Sequence, residues 1–228
     1  MNIAQSVILV TAAGSPLGKA IAMHFSTLGA QVALVDHNKR ALNNTLMACQ
    51  AIQPHCQSYL IDDHDESTIA TLITNVHQTF GKIDVLLNCW LSTPLPALLS
   101  PTSVDQFSRS LADAVAPFFL FGQHTAHYMR QHHCRGVIIN LALNDDSLHP
   151  SLNSGSKAMV SGLTSSWAKE LAEFNIRVGG VVPLTRDHDE MTAHTVISSP
   201  LQYEIVRSAE YIVANDYFNG RMIEAEVS

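Results

Sequence analysis

"VILVTAAGSPLGKAIAMHF", Val7 to Phe25, decides the fold. An apolar run passes into a turn of small residues and then into a segment of helical period, so the stretch reads strand, turn, helix. Such a turn aims backbone N–H groups and the positive end of a helix at a pyrophosphate, and small residues let the phosphates come close. Eighteen residues beyond Gly18, Asp36 ends a second apolar run in "VALVDHN". A carboxylate there accepts the ribose hydroxyls of NAD and repels the extra phosphate of NADP. Strand, turn, helix, strand and acid together are more specific than any one of them and predict a dinucleotide site. An inherited but empty turn is the competing reading.

Outward from this unit the same alternation continues. The apolar runs "SVILVT", "QVALVD", "QSYLID", "IDVLLN", "GVIINLAL" and "IRVGGVV" are short and continuous, which predicts strands buried on both faces. Between them, helical periods cover 17–29, 38–53, 65–80, 104–132 and 154–174. A repeated βα pattern predicts an α/β fold with a doubly wound parallel sheet, and 228 residues suit a single domain, 1–228, with a substantial core. Val160, Leu163, Trp167, Leu171 and Phe174 make one apolar stripe on the 154–174 helix, to be spent on the core or on a subunit interface.

The formal net charge of −7 and the lack of a basic run longer than Lys39-Arg40 argue against nucleic-acid or anionic-membrane partners. No apolar stretch approaches the roughly 20 residues that cross a bilayer, and no basic segment precedes the first apolar run, so a cytoplasmic protein is expected. Cys49, Cys56, Cys89 and Cys134 show no CxxC spacing and read as reduced thiols. His124 and His127 in "HTAH" and the later "HHC" invite a metal reading. Their place at the far end of the helix before the fifth strand favours solvated surface instead, and no metal is expected.

The segment "GSKAMVSGLTSSWAKELAEFNIRV", Gly155 to Val178, resembles the active-site helix and sixth strand of the short-chain dehydrogenase/reductase family. The resemblance runs to about Ile223 and implies a Rossmann-like fold. The family's first-turn pattern TGxxxGxG meets Thr11, Ala12, Pro16 and Gly18, so two of its three glycines are replaced. Ala12 reads as a mild change, Pro16 as harmless if it opens the helix, and Gly14 as a source of the flexibility lost beside it. The resemblance also implies that Asp62 or Asp63 in "LIDDHDES" faces the adenine; an exposed acidic helix cap is the alternative. Of the family's NNAG only Asn88 persists in "NCWL", with the bulk of Trp90 and Leu91 after it, and of its Pro-Gly after the sixth strand only Pro183.

The family's chemistry uses a tyrosine as proton donor or acceptor, a lysine four residues on, a serine and an asparagine, with hydride carried by the nicotinamide. Residues i and i+4 share a helix face, so the tyrosine–lysine spacing is mechanical. Here Lys157 remains, the tyrosine position is Asn153, the serine position falls at about Leu143 and the asparagine position at about Ala114. An amide releases no proton near neutral pH. Lys157 is then either a ribose and backbone ligand kept after catalysis was lost, or a helix cap kept by the fold.

These residues predict a degenerate member of the family that binds NAD(H) weakly or not at all and acts through binding or assembly. Its cofactor residues would be Thr11, Gly14, Gly18, Asp36, Asp62, Asp63, Asn88, Lys157 and Pro183. The alternative is a working oxidoreductase on a small-molecule alcohol or carbonyl with His149 as surrogate donor, imidazole being suited to proton transfer near neutrality. A polar surface loop is the plainer reading of His149. An inert structural subunit is the third possibility. The 154–174 stripe and the apolar "VAPFFLF" resemble the family's four-helix interface and predict a homodimer or homotetramer. Between Pro183 and Glu204, where the next helix is expected to start, the segment over the substrate looks short.

Overall fold

Parallel pairing of apolar strands, with a helix returning the chain each time, builds one seven-stranded sheet in the order β3-β2-β1-β4-β5-β6-β7. This is a computed structural model, and it describes residues 1–63, 65–91, 99, 101–143, 153–183 and 199–226. The strands are β1 (Val7–Val10), β2 (Gln31–Asp36), β3 (Cys56–Leu60), β4 (Val85–Leu91), β5 (Val137–Leu143), β6 (Arg177–Pro183) and β7 (Met222–Ala225). The helices are α1 (Pro16–Thr27), α2 (Lys39–Gln50), α3 (Glu66–Phe80), α4 (Val104–Gln131), α5 (Asn153–Leu171) and α6 (Ser199–Ala214). The doubly wound α/β sheet expected from the sequence is present: the six apolar runs supply β1 to β6, and β7 completes the sheet beyond them.

Successive strand residues point to opposite faces, and the core divides accordingly. Ile8 and Val10 of β1 pack with Val85 and Leu87 of β4 under α1, α2 and α6, where Phe25 and Ile212 are fully buried. Leu9 and Leu86 pack on the other face with Ile69 of α3 and Met129 of α4. Each fully buried Leu, Ile, Val or Phe contributes about 1.5–3 kcal/mol, so the two faces together hold the sheet. A smaller cluster joins α4 to α5, where Phe118 stacks on Trp167 at 5.4 Å and Gly122 leaves room for the indole.

Two expectations need correction. β3 is the sheet edge, and its Gln57 and Leu60 are exposed; a run that reads as apolar from end to end is covered on one side only when no further strand pairs with it. α6 begins at Ser199, ahead of Glu204, with Pro200 in its first turn, a place where a missing N–H costs nothing. The segment before it, residues 184–198, lies outside the described residues.

The first turn departs from expectation in two places as well. Ala12 has φ 49°, in the left-handed region that costs an L-residue about 1–2 kcal/mol, so it is a strained replacement and not a mild one. Gly14 has no positive φ; it is small because a Cβ there would lie 2.8 Å from Cβ of Ala41 and 3.0 Å from the Asp36 carboxylate. Pro16 opens α1 without loss, since Ser15 caps the helix by accepting from the Gly18 N–H at 3.0 Å. Gly18 is irreplaceable for steric reasons: its Cβ would stand 2.2 Å from the Ala12 carbonyl oxygen. Ala12→Gly should therefore raise stability by about 0.5–1 kcal/mol, the relieved strain less the extra chain entropy of glycine, and Gly18→Ala should lower it by more than about 2 kcal/mol. Urea unfolding of the two variants checks both signs.

Candidate functional site

The strand order reverses between β1 and β4, and in an open parallel sheet the crevice beyond the strand C-termini at that point is where ligands bind. Thr11, just past β1, holds this point together. Its hydroxyl accepts from the Cys89 N–H at 2.9 Å and lies 3.5 Å from the carbonyls of Leu87 and Cys89. Thr11 thereby acts on β4, one strand away from its own.

The turn and Asp36 are built as a unit. Asp36 is 6% exposed, and its two oxygens accept from the N–H groups of Gly14 at 2.8 Å and Asn38 at 2.7 Å. His37 Nδ1 lies 3.6 Å away on the solvent side. Ala13 donates to the Val35 carbonyl and accepts from the Thr45 hydroxyl, so β2 and α2 both pin the turn at Ala13. The Leu17 N–H, at the positive end of α1, has no partner among the described residues. A free donor at a helix N-terminus, a close-packed Gly14 and a carboxylate at the end of β2 fit the adenosine-diphosphate half of a dinucleotide. Bound there, a nicotinamide dinucleotide would supply hydride transfer.

The other residues named from the sequence fall as follows. Asp62 and Asp63 follow β3 and are exposed; Asp63 accepts from the Asp65 N–H at 3.3 Å. The cap of α3 is Asp65, which accepts from Thr68 at 2.6 Å; these hydrogen bonds hold its carboxyl below the usual range. Asn88 is 1% exposed and donates to the Phe118 carbonyl at 2.9 Å. Lys157, half-buried on α5, donates from Nζ to the Pro183 carbonyl at 2.8 Å, fastening the helix to the end of β6. Asn153 is the first residue of α5, one turn before Lys157. Leu143 ends β5 and Ala114 lies inside α4. His149 lies outside the described residues. Among the described residues, no group of three His, Cys, Asp or Glu side chains could hold a metal.

Sequence reasoning missed the partners of Asn88. Asn140 of β5 is fully buried, its Oδ1 3.5 Å from Asn88 Nδ2, and its own amide donates to the Thr164 hydroxyl of α5 at 3.0 Å. The available signal was a pair of asparagines at the same register of two adjacent apolar strands, Asn88 opposite Asn140. A buried amide needs a partner, and two in register supply each other.

With this geometry in view, the comparisons with known proteins are decisive for the family. Residues 6–195 match the model of the short chain dehydrogenase family. The chain belongs to that family. It is 30% identical over 186 residues to the 3-oxoacyl-[acyl-carrier-protein] reductase of Thermotoga maritima, covering 80% of this chain and 75% of the relative. It is also 30% identical over 179 residues to the 7alpha-hydroxysteroid dehydrogenase of Escherichia coli strain K12, covering 77% and 69%. A short-chain dehydrogenase/reductase structure from Mycobacterium marinum superposes with TM-score 0.81 at 24% identity, over 97% of this chain and 93% of that one. The NAD+-bound xylitol dehydrogenase gives 0.77 at 22%, over 96% and 97%. Among the described residues no helix is long and apolar enough to cross a membrane.

Lys157→Met keeps the stem of the side chain and removes the donor to Pro183. It should lower stability by about 1–2 kcal/mol, the worth of a half-buried charged hydrogen bond, as read by urea unfolding. A ligand-only lysine would leave the midpoint unchanged.

Proposed function

We propose that this chain is a degenerate short-chain dehydrogenase that holds NAD(H) weakly, performs little or none of the family's alcohol–carbonyl chemistry, and acts by binding or assembly. The observation that carries this reading is the pairing on α5: the residue one turn before Lys157 is Asn153, and the Lys157 ammonium is bonded to the Pro183 carbonyl. An amide donates a hydrogen bond but no proton, and a lysine engaged with the backbone serves the fold. Loss of a general acid typically costs 10²–10⁴ in rate.

The cofactor reading rests on Asp36, Gly14 and the Leu17 N–H. Asp36 keeps a lone pair on each oxygen after its backbone bonds, enough to accept ribose hydroxyls, and its charge opposes a 2′-phosphate. Asp62 and Asp63 are the proposed adenine-side residues, Asn88 and Thr11 shape the crevice, and Pro183 closes it beside Lys157.

A second reading has one observation in its favour: the reductase of Thermotoga maritima and the dehydrogenase of Escherichia coli, each 30% identical, carry the names of active oxidoreductases. On this reading the chain interconverts an alcohol and a carbonyl, with His149 as proton donor.

One preparation separates the two. Fluorescence titration should give a dissociation constant for NADH at least about tenfold below that for NADPH, a difference of about 1.4 kcal/mol. Assays against a panel of alcohols and carbonyls should show negligible turnover, and Asn153→Tyr should gain little, because catalytic residues that act as a unit are not restored singly. Robust turnover that falls about 10²–10⁴-fold in His149→Ala with NADH binding intact would establish the second reading instead. Binding of neither cofactor would leave only the fold.

We also propose a homodimer or homotetramer formed through α4 and α5, where Phe119 is 40% exposed and Trp167 half-buried beside it. Light scattering at micromolar concentration should report a mass at least twice that of the chain; a monomer rejects the interface.

A further inference from the structure

At the end of the sheet opposite the crevice, the α4–β5 and α5–β6 connections enclose a cavity of about 210 Å³. Arg130 in the last turn of α4, His133 and Arg135 beyond it, and Glu173, Phe174 and Asn175 ahead of β6 line it. The Arg130 Cζ lies 4.5 Å from the centroid of the Phe174 ring, so this guanidinium is stacked on an aromatic face. We propose that the cavity binds a phosphate dianion, free or at the end of a small ester, held by the guanidinium groups of Arg130 and Arg135.

The two arginines are free to serve an anion. The chain carries 20 Asp and Glu against 13 Lys and Arg, yet among the described residues neither guanidinium has an ion pair or a hydrogen-bond acceptor. Other arginines are engaged: Arg177 donates to three backbone carbonyls and Arg207 to Glu210. Glu173 lines the same cavity and pairs with neither Arg130 nor Arg135. Asp216, on which the Arg135 charge also acts, is bonded at 3.0 Å to the Met1 amine. A planar guanidinium offers two parallel N–H donors to two phosphate oxygens, and one stacked on a ring keeps that edge outward with part of its side-chain freedom already spent.

The backbone points to the same place. Among the described residues three that are not glycine have a left-handed backbone: Ala12 in the first turn, and His133 at φ 51° and Asn175 at φ 57°, both on this cavity. Each of the latter two follows a helical segment, α4 or the short turn Ala172–Phe174, where glycine is the usual residue. A side chain in its place carries strain, more for an imidazole than for Asn, and adds a polar group to the cavity wall. Strain of this kind gathers at sites that hold ligands.

Size narrows the ligand. A volume of about 210 Å³ is below the roughly 300–1,000 Å³ of pockets that enclose drug-sized molecules, so a phosphate group with a short stem fits and a dinucleotide does not. The charge balance narrows it further: two guanidinium groups against the single negative charge of Glu173 favour an anion, and the His133 imidazole adds a donor. The site lies at the starts of β5 and β6, and the crevice lies beyond the strand C-termini.

Isothermal titration calorimetry of the full chain tests the site, with inorganic phosphate and with glycerol 3-phosphate as probes and sodium chloride holding the ionic strength constant. Saturable binding of one anion per chain is expected, with a Kd in the millimolar range or tighter. Arg135→Gln should weaken it at least about tenfold, the loss of a charge-assisted hydrogen bond, at an unchanged urea midpoint. Arg130→Gln should do the same, and its circular dichroism checks that the loss of the Phe174 stack leaves the fold intact. Glu173→Gln, which removes the opposing charge, should tighten binding by about two- to fivefold. Tighter binding of glycerol 3-phosphate identifies the ester as the ligand, and tighter binding of inorganic phosphate the free anion. No saturable binding to the wild type, or binding that both arginine variants leave unchanged, overturns the proposal. NADH is absent from the titration, so the result stands apart from the cofactor reading.

Discussion

A buried amide must be hydrogen-bonded, and the Asn88 side chain meets that requirement in the middle of the molecule. It donates to the Phe118 carbonyl of α4 and faces Asn140 of β5, which in turn donates to Thr164 of α5. Each bond left unmade would cost about 1–3 kcal/mol, so the four elements can adopt only the offset that satisfies all of them. That offset sets where β4 and β5 end and where α5 lies across them.

The crevice inherits its shape from this scaffold and from the Thr11 hydroxyl at the β1–β4 junction. Several residues that the family resemblance associates with cofactor are also structural members here: Thr11 bonds β4, Asp36 anchors Gly14 and Asn38, Asn88 bonds α4, and Lys157 bonds the end of β6. This double employment ties such residues to the fold independently of any ligand. A side chain that satisfies a buried carbonyl or N–H cannot be exchanged without a cost to folding.

The first turn illustrates the same economy from the other side. Ala12 stands in a left-handed backbone, at a cost in strain, because the Ser15 N–H, the Ala13 N–H and Gly18 are all fixed by neighbours. The shape of the turn is imposed by its surroundings and survives a residue that disfavours it. Pro16 was absorbed more easily, since the first position of a helix needs neither its N–H nor any other φ.

Much of this was legible in the linear pattern. Apolar runs separated by helical periods named six strands and five helices within a few residues, since periodicity and caps are local properties. The family resemblance followed from Gly155 to Val178, the candidate at Asp36 from spacing, and those at Asn88 and Lys157 from the resemblance. Tertiary structure alone decided what those side chains hold: that Asn88 pairs with Asn140, that Lys157 reaches Pro183, and that β3 is an edge. Such facts depend on which strand lies beside which and on the direction a side chain takes across tens of residues, and a one-dimensional pattern carries neither.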